Sequence, residues 1–475
     1  MPSMGVRGAV AFWSGAVVIG LTASALTTGH PETAHRAIAT AHVSRAIVPV
    51  GGARLAGAAG GTPSAVGARS DASSSASSSA PTTADRSAFP DVGLVHGGLA
   101  ALAPLGALPL GAATPGQPTP SAGQPSAAGA PRQFTVIAAG DILLHTRLWA
   151  QGRADAEAAG RAGYFFDPIF ASARPDIAGA DLAICHMETP YGKPNGPFTS
   201  FPVFEVPPAI AQTIHDVGYD SCSTASNHSL DGGEAGIDRT LDALDAAGVK
   251  HSGTARSAAE AAQPDLLQAN GVTVAQLSYA YGFNGIKRPA DKPWLANLIS
   301  VPQILADAKR AKQAGASVVI VSLHFGTEYQ HTPNAQQLSV ARALLASPDV
   351  DLIIGCHAHV VQPFQKINGK WVVYGMGNQI ATQGFSQPTM DGVMPRFTFT
   401  ETSPGKFTVT KAEAIPTYDS LGGQIQLIDL PLAMAAHPSA ARMAVYEASW
   451  KRTAEVVDSM GAAKDGLIVD RGTAR

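Results

Sequence analysis

A chain of 475 residues with a formal net charge of −3 and a pI of about 6.5 lacks the basic excess of a nucleic-acid binder, so no nucleic acid is expected as a partner. Hydrophobic residues make up 45% of it, enough for a large core. They are spread unevenly: large apolar and aromatic residues concentrate after Phe134, while Gly, Ala, Ser and Pro dominate before it.

Residues 1–25 read as an export signal. Arg7 supplies positive charge, Ala9 to Leu21 is apolar, and Ala23-Ser24-Ala25 is a small-x-small cleavage site. An uncleaved signal anchor is the alternative. Either places the chain in the cell envelope or outside the cell. Residues 26–132 cannot bury enough apolar surface to offset the entropy of ordering, and a disordered linker is expected. Within it Val92 to Ala113 is apolar but interrupted by Pro104 and Pro109, leaving a second membrane span as the rival to a flexible linker.

From Phe134 the pattern changes. Phe134 to Ala138, Asp181 to Ile184, Tyr219 to Thr224, Val272 to Ser278, Ser317 to Leu323, Asp351 to Ile354 and Trp371 to Tyr374 read as strands. Ile237, Leu241 and Leu244 recur at helical spacing before Gly248, as do Ile304, Ala308 and Ala311 before Gly315, and Leu338, Ala341 and Leu345. Strands alternating with helices imply βαβ units, and apolar runs without polar alternation imply strands covered on both faces. Phe397 to Phe399 and Phe407 to Val409 read as short strands closing a sheet edge. The expected domain spans 133–420, with 421–475 as a partly helical extension. Three cysteines cannot all pair within one chain. Cys185 and Cys222 are expected near each other, with or without a bond, because their strands should converge.

One feature repeats: Asp141, Glu188, Asn227 and His228, His324, and the pair His357 and His359 each follow a predicted strand. Ligands gather at the carboxyl ends of strands in α/β sheets, and oxygen and imidazole donors around one point suit one or two divalent metal ions. Gly355 reads as a turn that presents His357 and His359 on one side of an extended segment. Each residue also has a plainer reading. Asp141 would cap a helix, Asn227 would serve a turn, and the histidines would only hydrogen-bond. Glu328 and Tyr329 would form a surface pair or orient His324.

The stretches Gly140-Asp141, Met187-Glu188-Thr189-Pro190, Ser226-Asn227-His228 through Gly236, His324-Phe325-Gly326-Thr327-Glu328-Tyr329, Gly355-Cys356-His357-Ala358-His359 and Tyr374-Gly375-Met376-Gly377-Asn378 resemble the CapA-type capsule (poly-γ-glutamate) synthesis proteins, relatives of the calcineurin-like metallophosphatases. The resemblance covers Phe134 to Ile380. It implies a four-layer α/β/β/α sandwich with a metal site at one edge. One metal would be held by Asp141 and His359, the other by Asn227, His324 and His357, with Glu188 bridging and His228 as general acid. His145, Asp231, Glu328, Tyr329 and Asn378 would contact substrate or orient the ligands. Three departures stand out. Leu143 occupies the histidine position of the phosphatase Asp-x-His motif, with His145 two residues on. His186-Met187-Glu188 replaces Asn-Leu-Glu, and Cys356-His357-Ala358-His359 replaces His-His-Pro-His.

The resemblance implies a metal-dependent hydrolase or transferase acting on a cell-surface polymer such as poly-γ-glutamate, with membrane synthase subunits as further partners. Its rivals are a general metallophosphoesterase and a non-catalytic subunit or anchor of a polymer-export complex.

Overall fold

The computed structural model describes residues 131–472; the export signal and nearly all of the expected linker lie outside the described residues. Two sheets stack face to face. The first runs β14-β13-β12-β1-β2-β3-β4, with β11 alongside β1 and β15 alongside β13. Its strands are β1 (Gln133–Ile142), β2 (Leu182–Met187), β3 (Ser221–Ser223), β4 (Lys250–Ser252), β11 (Asn378–Ile380), β12 (Asp391–Ser403), β13 (Lys406–Ser420), β14 (Gln426–Asp429) and β15 (Leu467–Val469). The second runs β5-β6-β7-β8-β10-β9, built from β5 (Asp265–Ala269), β6 (Val272–Ala280), β7 (Val318–His324), β8 (Leu352–Cys356), β9 (Phe364–Ile367) and β10 (Lys370–Val373). The strands β1 to β4 are mutually parallel, as are β6, β7, β8 and β10.

Alternation along the strands builds the layers. Val136 and Ala138 of β1 and Leu182 and Ile184 of β2 pack with Val274, Ile320 and Ile354 of the second sheet, forming the core between the sheets. Ile137, Ala183 and Cys185 face the other way, against Leu148, Ile210, Ile214 and Leu244 of helices 146–158, 210–217 and 233–247. On the far side Val319, Val321 and Ile353 pack on Ile304, Ala308, Ala341 and Leu344 of helices 301–313 and 335–345. The result is the α/β/β/α sandwich expected. The strand β7 is buried along its whole length, which is why its sequence shows no polar alternation. The helix Gly233–Ala247 ends at Gly248 (φ 80), and Asn334 with Gln337 forms a capping box before the helix Ala335–Leu345.

Two expectations are revised. Gly355 does not turn the chain; it lies inside β8. The segment Tyr374 to Asn378 passes from β10 in the second sheet to β11 in the first, and it crosses against two glycines. A Cβ on Gly140 would overlap the carbonyl oxygen of Gly377, and one on Gly355 that of Tyr374. The strands expected to be short and at a sheet edge are neither: β12 and β13 form an antiparallel pair of 13 and 15 residues inside the first sheet. Beyond residue 420, β14 and β15 continue the first sheet. Cys185 and Cys222, directly opposite in the β2–β3 register, form a disulfide, and Cys356 is free and buried.

Replacing Gly355 with alanine should cost about 1–3 kcal/mol or more, because backbone rather than a movable side chain opposes the new methyl. Nothing lies within 4 Å of a Cβ on Gly422, so Gly422→Ala should shift stability by less than about 0.5 kcal/mol. Urea midpoints at constant m value read both. Equal midpoints for the two variants would contradict the close crossing.

Candidate metal centre

The carboxyl ends of the strands converge. Asp141, near the end of β1, is fully buried and accepts the backbone N–H of His357 at 3.2 Å to each oxygen. It caps no helix. His359 lies 3.3 Å from Asp141 Oδ2 through Nδ1 and 3.8 Å from Glu188 Oε1 through Nε2. Its Nδ1 faces two acceptors, Asp141 and Asn378 Oδ1 at 3.0 Å, so Nδ1 keeps a proton whether the ring is charged or neutral, and Nε2 faces Glu188. Asn378 is fixed as acceptor, since its amide donates to Thr389 O and Gln383 Oε1. Donor atoms of Asp141, Glu188 and His359 all lie within 4.8 Å of one another.

His357 and His359 are not on an extended segment. They sit at φ 99 and φ 54, and their rings are 6.1 Å apart and tilted by 57°. The His357 ring lies 4.6 Å from both Tyr281 and His324. His324, ending β7, faces Asn227 Oδ1 through Nε2 and His186 Nε2 through Nδ1, both at 2.9 Å. His228 stands beside this group: its Nδ1 donates to Asp231 Oδ2 at 2.7 Å, and its ring meets Phe204 edge-on.

The remaining candidates form the rim. Tyr329 stacks on His359 at 6.0 Å rather than orienting His324, and Glu328 bears on Glu188 and Tyr281 through its charge. His145 accepts from Thr382 N–H at 3.3 Å and packs edge-on to Phe204. Two contributors escaped the sequence reading. His186 is buried beside Asp141, at 3.7 Å. Its signal was a histidine at an inward position of β2, in step with Leu182 and Ile184. Asn284 accepts from Asn227 at 3.2 Å and reaches the His228 ring at 3.5 Å; an asparagine in an irregular loop gave no signal. Asp141, His186 and Cys356 form a second group of mutually close donors.

Burial sets the electrostatics. It pushes His357 down to about 3 and His186 down to about 4, and it holds His324 well below the ordinary imidazole value. These rings are neutral at pH 7 and available as ligands. Burial also opposes charge on His359, but Glu188 and Asp141 outweigh it and hold the ring up to about 10. Burial raises Glu188 to about 7.

The residues fit a divalent ion. Neither Glu188 oxygen nor His357 Nδ1 has a hydrogen-bond partner among the described residues, although all three atoms are buried. Such orphans cost about 1–3 kcal/mol each, more when charged, and carboxylate with imidazole is a donor set that divalent metals take. Nearby Asp141, His359, Asn227 and His324 supply the other donors. A separate cleft of about 280 Å³, lined among others by His251, Arg256, Asp265 and Ser278, includes none of them.

A two-sheet α/β sandwich with imidazole and carboxylate donors at its strand ends defines a metal-centre type of domain. The description "Bacterial capsule synthesis protein PGA_cap" belongs to the family model that matches residues 135–383, more than half of the chain, and the chain belongs to that family. It is 27% identical over 247 residues to the PGA biosynthesis protein CapA of Bacillus subtilis (strain 168), covering 51% of this chain and 64% of that one. It is 27% identical over 191 residues to the capsule biosynthesis protein CapA of Bacillus anthracis, covering 39% and 46%. The chain thus spans less than two thirds of the length of either relative. Among solved structures, the calcineurin-like phosphoesterase YfkN from Bacillus subtilis aligns at 14% identity with a TM-score of 0.39, over 67% of this chain and 98% of that one.

Metal uptake should displace protons held by Glu188 and His359. Glu188, raised to about 7, and His359, raised to about 10, both retain protons near neutrality, and a ligand must shed its proton to bind. Calorimetric titration with zinc at pH 7, repeated in buffers of different ionisation enthalpy, should show release of between one and two protons, and affinity should fall as the pH drops below about 10 and more steeply below about 7. His357→Ala should lose more than the ~10–100-fold affinity typical of outer-sphere changes, with an unchanged circular dichroism spectrum. Wild-type affinity in that variant would leave these histidines structural.

Proposed function

We propose that this chain is an exported protein of capsule or poly-γ-glutamate biosynthesis that uses one or two divalent metal ions to hydrolyse or transfer at a bond of a cell-surface polymer. The observation that carries the reading is the trio of orphaned, buried donor atoms on Glu188 and His357, set among Asp141, Asn227, His324 and His359. Membership of the capsule synthesis family and the names of the Bacillus relatives support the polymer. The apolar N-terminal stretch with its small-x-small site supports export.

A divalent ion bound there supplies Lewis-acid polarisation and an activated water. The chain's own residues supply the rest. Asp231 holds the His228 ring by Nδ1 and leaves Nε2 as its second proton-carrying atom. Burial opposes charge on His228, yet Asp231 and Glu188 outweigh it and raise its pKa, so the ring keeps a proton for a leaving group. The exposed ring of Tyr281 and that of Tyr329 border His357 and His359, giving a substrate chain surfaces to rest on.

The test uses the full chain loaded with zinc or manganese and incubated with poly-γ-glutamate, with polymer length followed by size-exclusion chromatography. Shortening or transfer is expected in the wild type. His228→Asn should reduce turnover by about 10²–10⁴-fold with metal content unchanged. Phosphate release from phosphoesters without polymer cleavage would favour a general phosphoesterase. A fully loaded protein that turns over nothing, yet co-purifies with membrane synthase subunits, would favour an export-complex subunit.

A further inference from the structure

His324 poses a hydrogen-bonding problem that involves more than its own side chain. Its Nε2 faces Asn227 Oδ1, an acceptor, at 2.9 Å. Its Nδ1 faces His186 Nε2 at 2.9 Å. His186 Nδ1 in turn meets Ser223 Oγ at 2.8 Å, and that hydroxyl has a second acceptor within reach, Cys185 O at 3.3 Å. A neutral imidazole carries one N–H, so each ring donates from one nitrogen and accepts at the other. The line Ser223–His186–His324–Asn227 therefore has two consistent settings.

In the first, the Ser223 hydroxyl donates to His186 Nδ1, His186 Nε2–H donates to His324 Nδ1, and His324 Nε2–H donates to Asn227. In the second, the hydroxyl turns to Cys185 O, His186 Nδ1–H donates to Ser223, and His324 Nδ1–H donates to His186. That leaves the Nε2 lone pair facing the Asn227 oxygen at 2.9 Å, a separation that a proton or a cation must bridge.

Resting on the metal reading above, we propose that His186 is a positioning residue: as acceptor for His324 Nδ1–H, it sets the tautomer that frees His324 Nε2 for a divalent cation. Changing setting conserves protons within the line. One leaves His324 Nε2, the His186 proton crosses to His324 Nδ1, and one arrives at His186 Nδ1. Outer-sphere acceptors of this kind orient ligating histidines and raise their basicity. His186 is 2 % exposed and closer to His324 than to Asp141, at 2.9 Å against 3.7 Å, which favours this role over direct ligation with Asp141 and Cys356.

The test compares two side chains of equal length in the full chain. His186→Gln keeps an acceptor near the position of Nε2, and His186→Met removes it. Zinc affinity is measured by chelator competition, with circular dichroism and thermal melting to check the fold. His186→Met should lose about 10–100-fold in affinity, and His186→Gln should stay within a few-fold of wild type. In parallel, long-range ¹⁵N–¹H spectra of the histidine side chains should show His324 protonated at Nε2 in the metal-free wild type and at Nδ1 once zinc is added. Wild-type affinity in His186→Met would overturn the proposal, as would equal losses in both variants, which would mark His186 as a ligand or a packing residue. A His324 tautomer that does not change on zinc binding would also overturn it. A wild type that binds no zinc would instead sink the metal reading on which it rests.

Discussion

The buried carboxylate of Asp141 is where the two sheets are tied together at their functional end. It stands on β1 of the first sheet and accepts the N–H of His357, which follows β8 of the second. An ionised carboxylate this deep is tolerated only if paired and hydrogen-bonded. Burial alone would raise its pKa, but the hydrogen bond and charge of His359 overcome that and lower it. The same contacts hold His357 and His359 in backbone conformations that cost non-glycine residues of order 1–3 kcal/mol each. Tyr329 N–H, donating to Ala358 O at 2.7 Å, pins the turn from the other side. The left-handed backbone is thus tied to the carboxylate that faces the ligand cluster.

From that anchor follows an uneven distribution of charge. At His357 burial and the charge of His359 outweigh the pull of Asp141, and the ring stays neutral. His359, touching both Asp141 and Glu188, does not. Asn378 then decides which His359 nitrogen keeps its proton when the ring gives one up, because its own amide is committed to Thr389 and Gln383. Ligand type and ligand readiness are therefore separate properties. The first belongs to the residue; the second is set by side chains up to some two hundred positions away in sequence.

The same distinction explains how much was legible beforehand. Strand ends carrying Asp141, Glu188, Asn227, His324 and His357 follow from local apolar runs and their polar terminators, so βαβ units and the convergence of these residues could be read from one dimension, whereas the sandwich was implied by the family resemblance. The long β12–β13 pair could not. Pro395 and Pro416 interrupt both runs, and proline inside a run argues against a strand; here the two meet Ala414 and Val393 in register all the same. The role of Gly355 was misread because glycine signals a turn as readily as a close approach. The deciding neighbour, the Tyr374 carbonyl, lies just past β10, which only the pairing of β10 with β8 brings near. Asn284, and the part His186 plays beyond its inward position on β2, were missed for a related reason: hydrogen-bond direction has no sequence signature.

The geometry around His228 links proton supply to access. Asp231 uses one oxygen, Oδ2, for both His228 Nδ1 and the backbone N–H of Phe204, at 2.7 and 2.8 Å. Phe204 in turn packs edge-on against His228 and against His145. It belongs to the loop between Tyr191 and Val206, whose ends pair with each other and which exposes Phe201 and Val203 to solvent. Any movement of that loop that displaced Phe204 would disturb the carboxylate that orients His228 and raises its pKa. The ligand cluster, by contrast, is held by Asp141 on β1 and His324 on β7 and by the turns that follow β2, β3 and β8, none of which includes Phe204. The fold thus gathers the donor atoms at the carboxyl ends of its parallel strands and makes the orientation of the proton donor depend on a carboxylate shared with a surface loop.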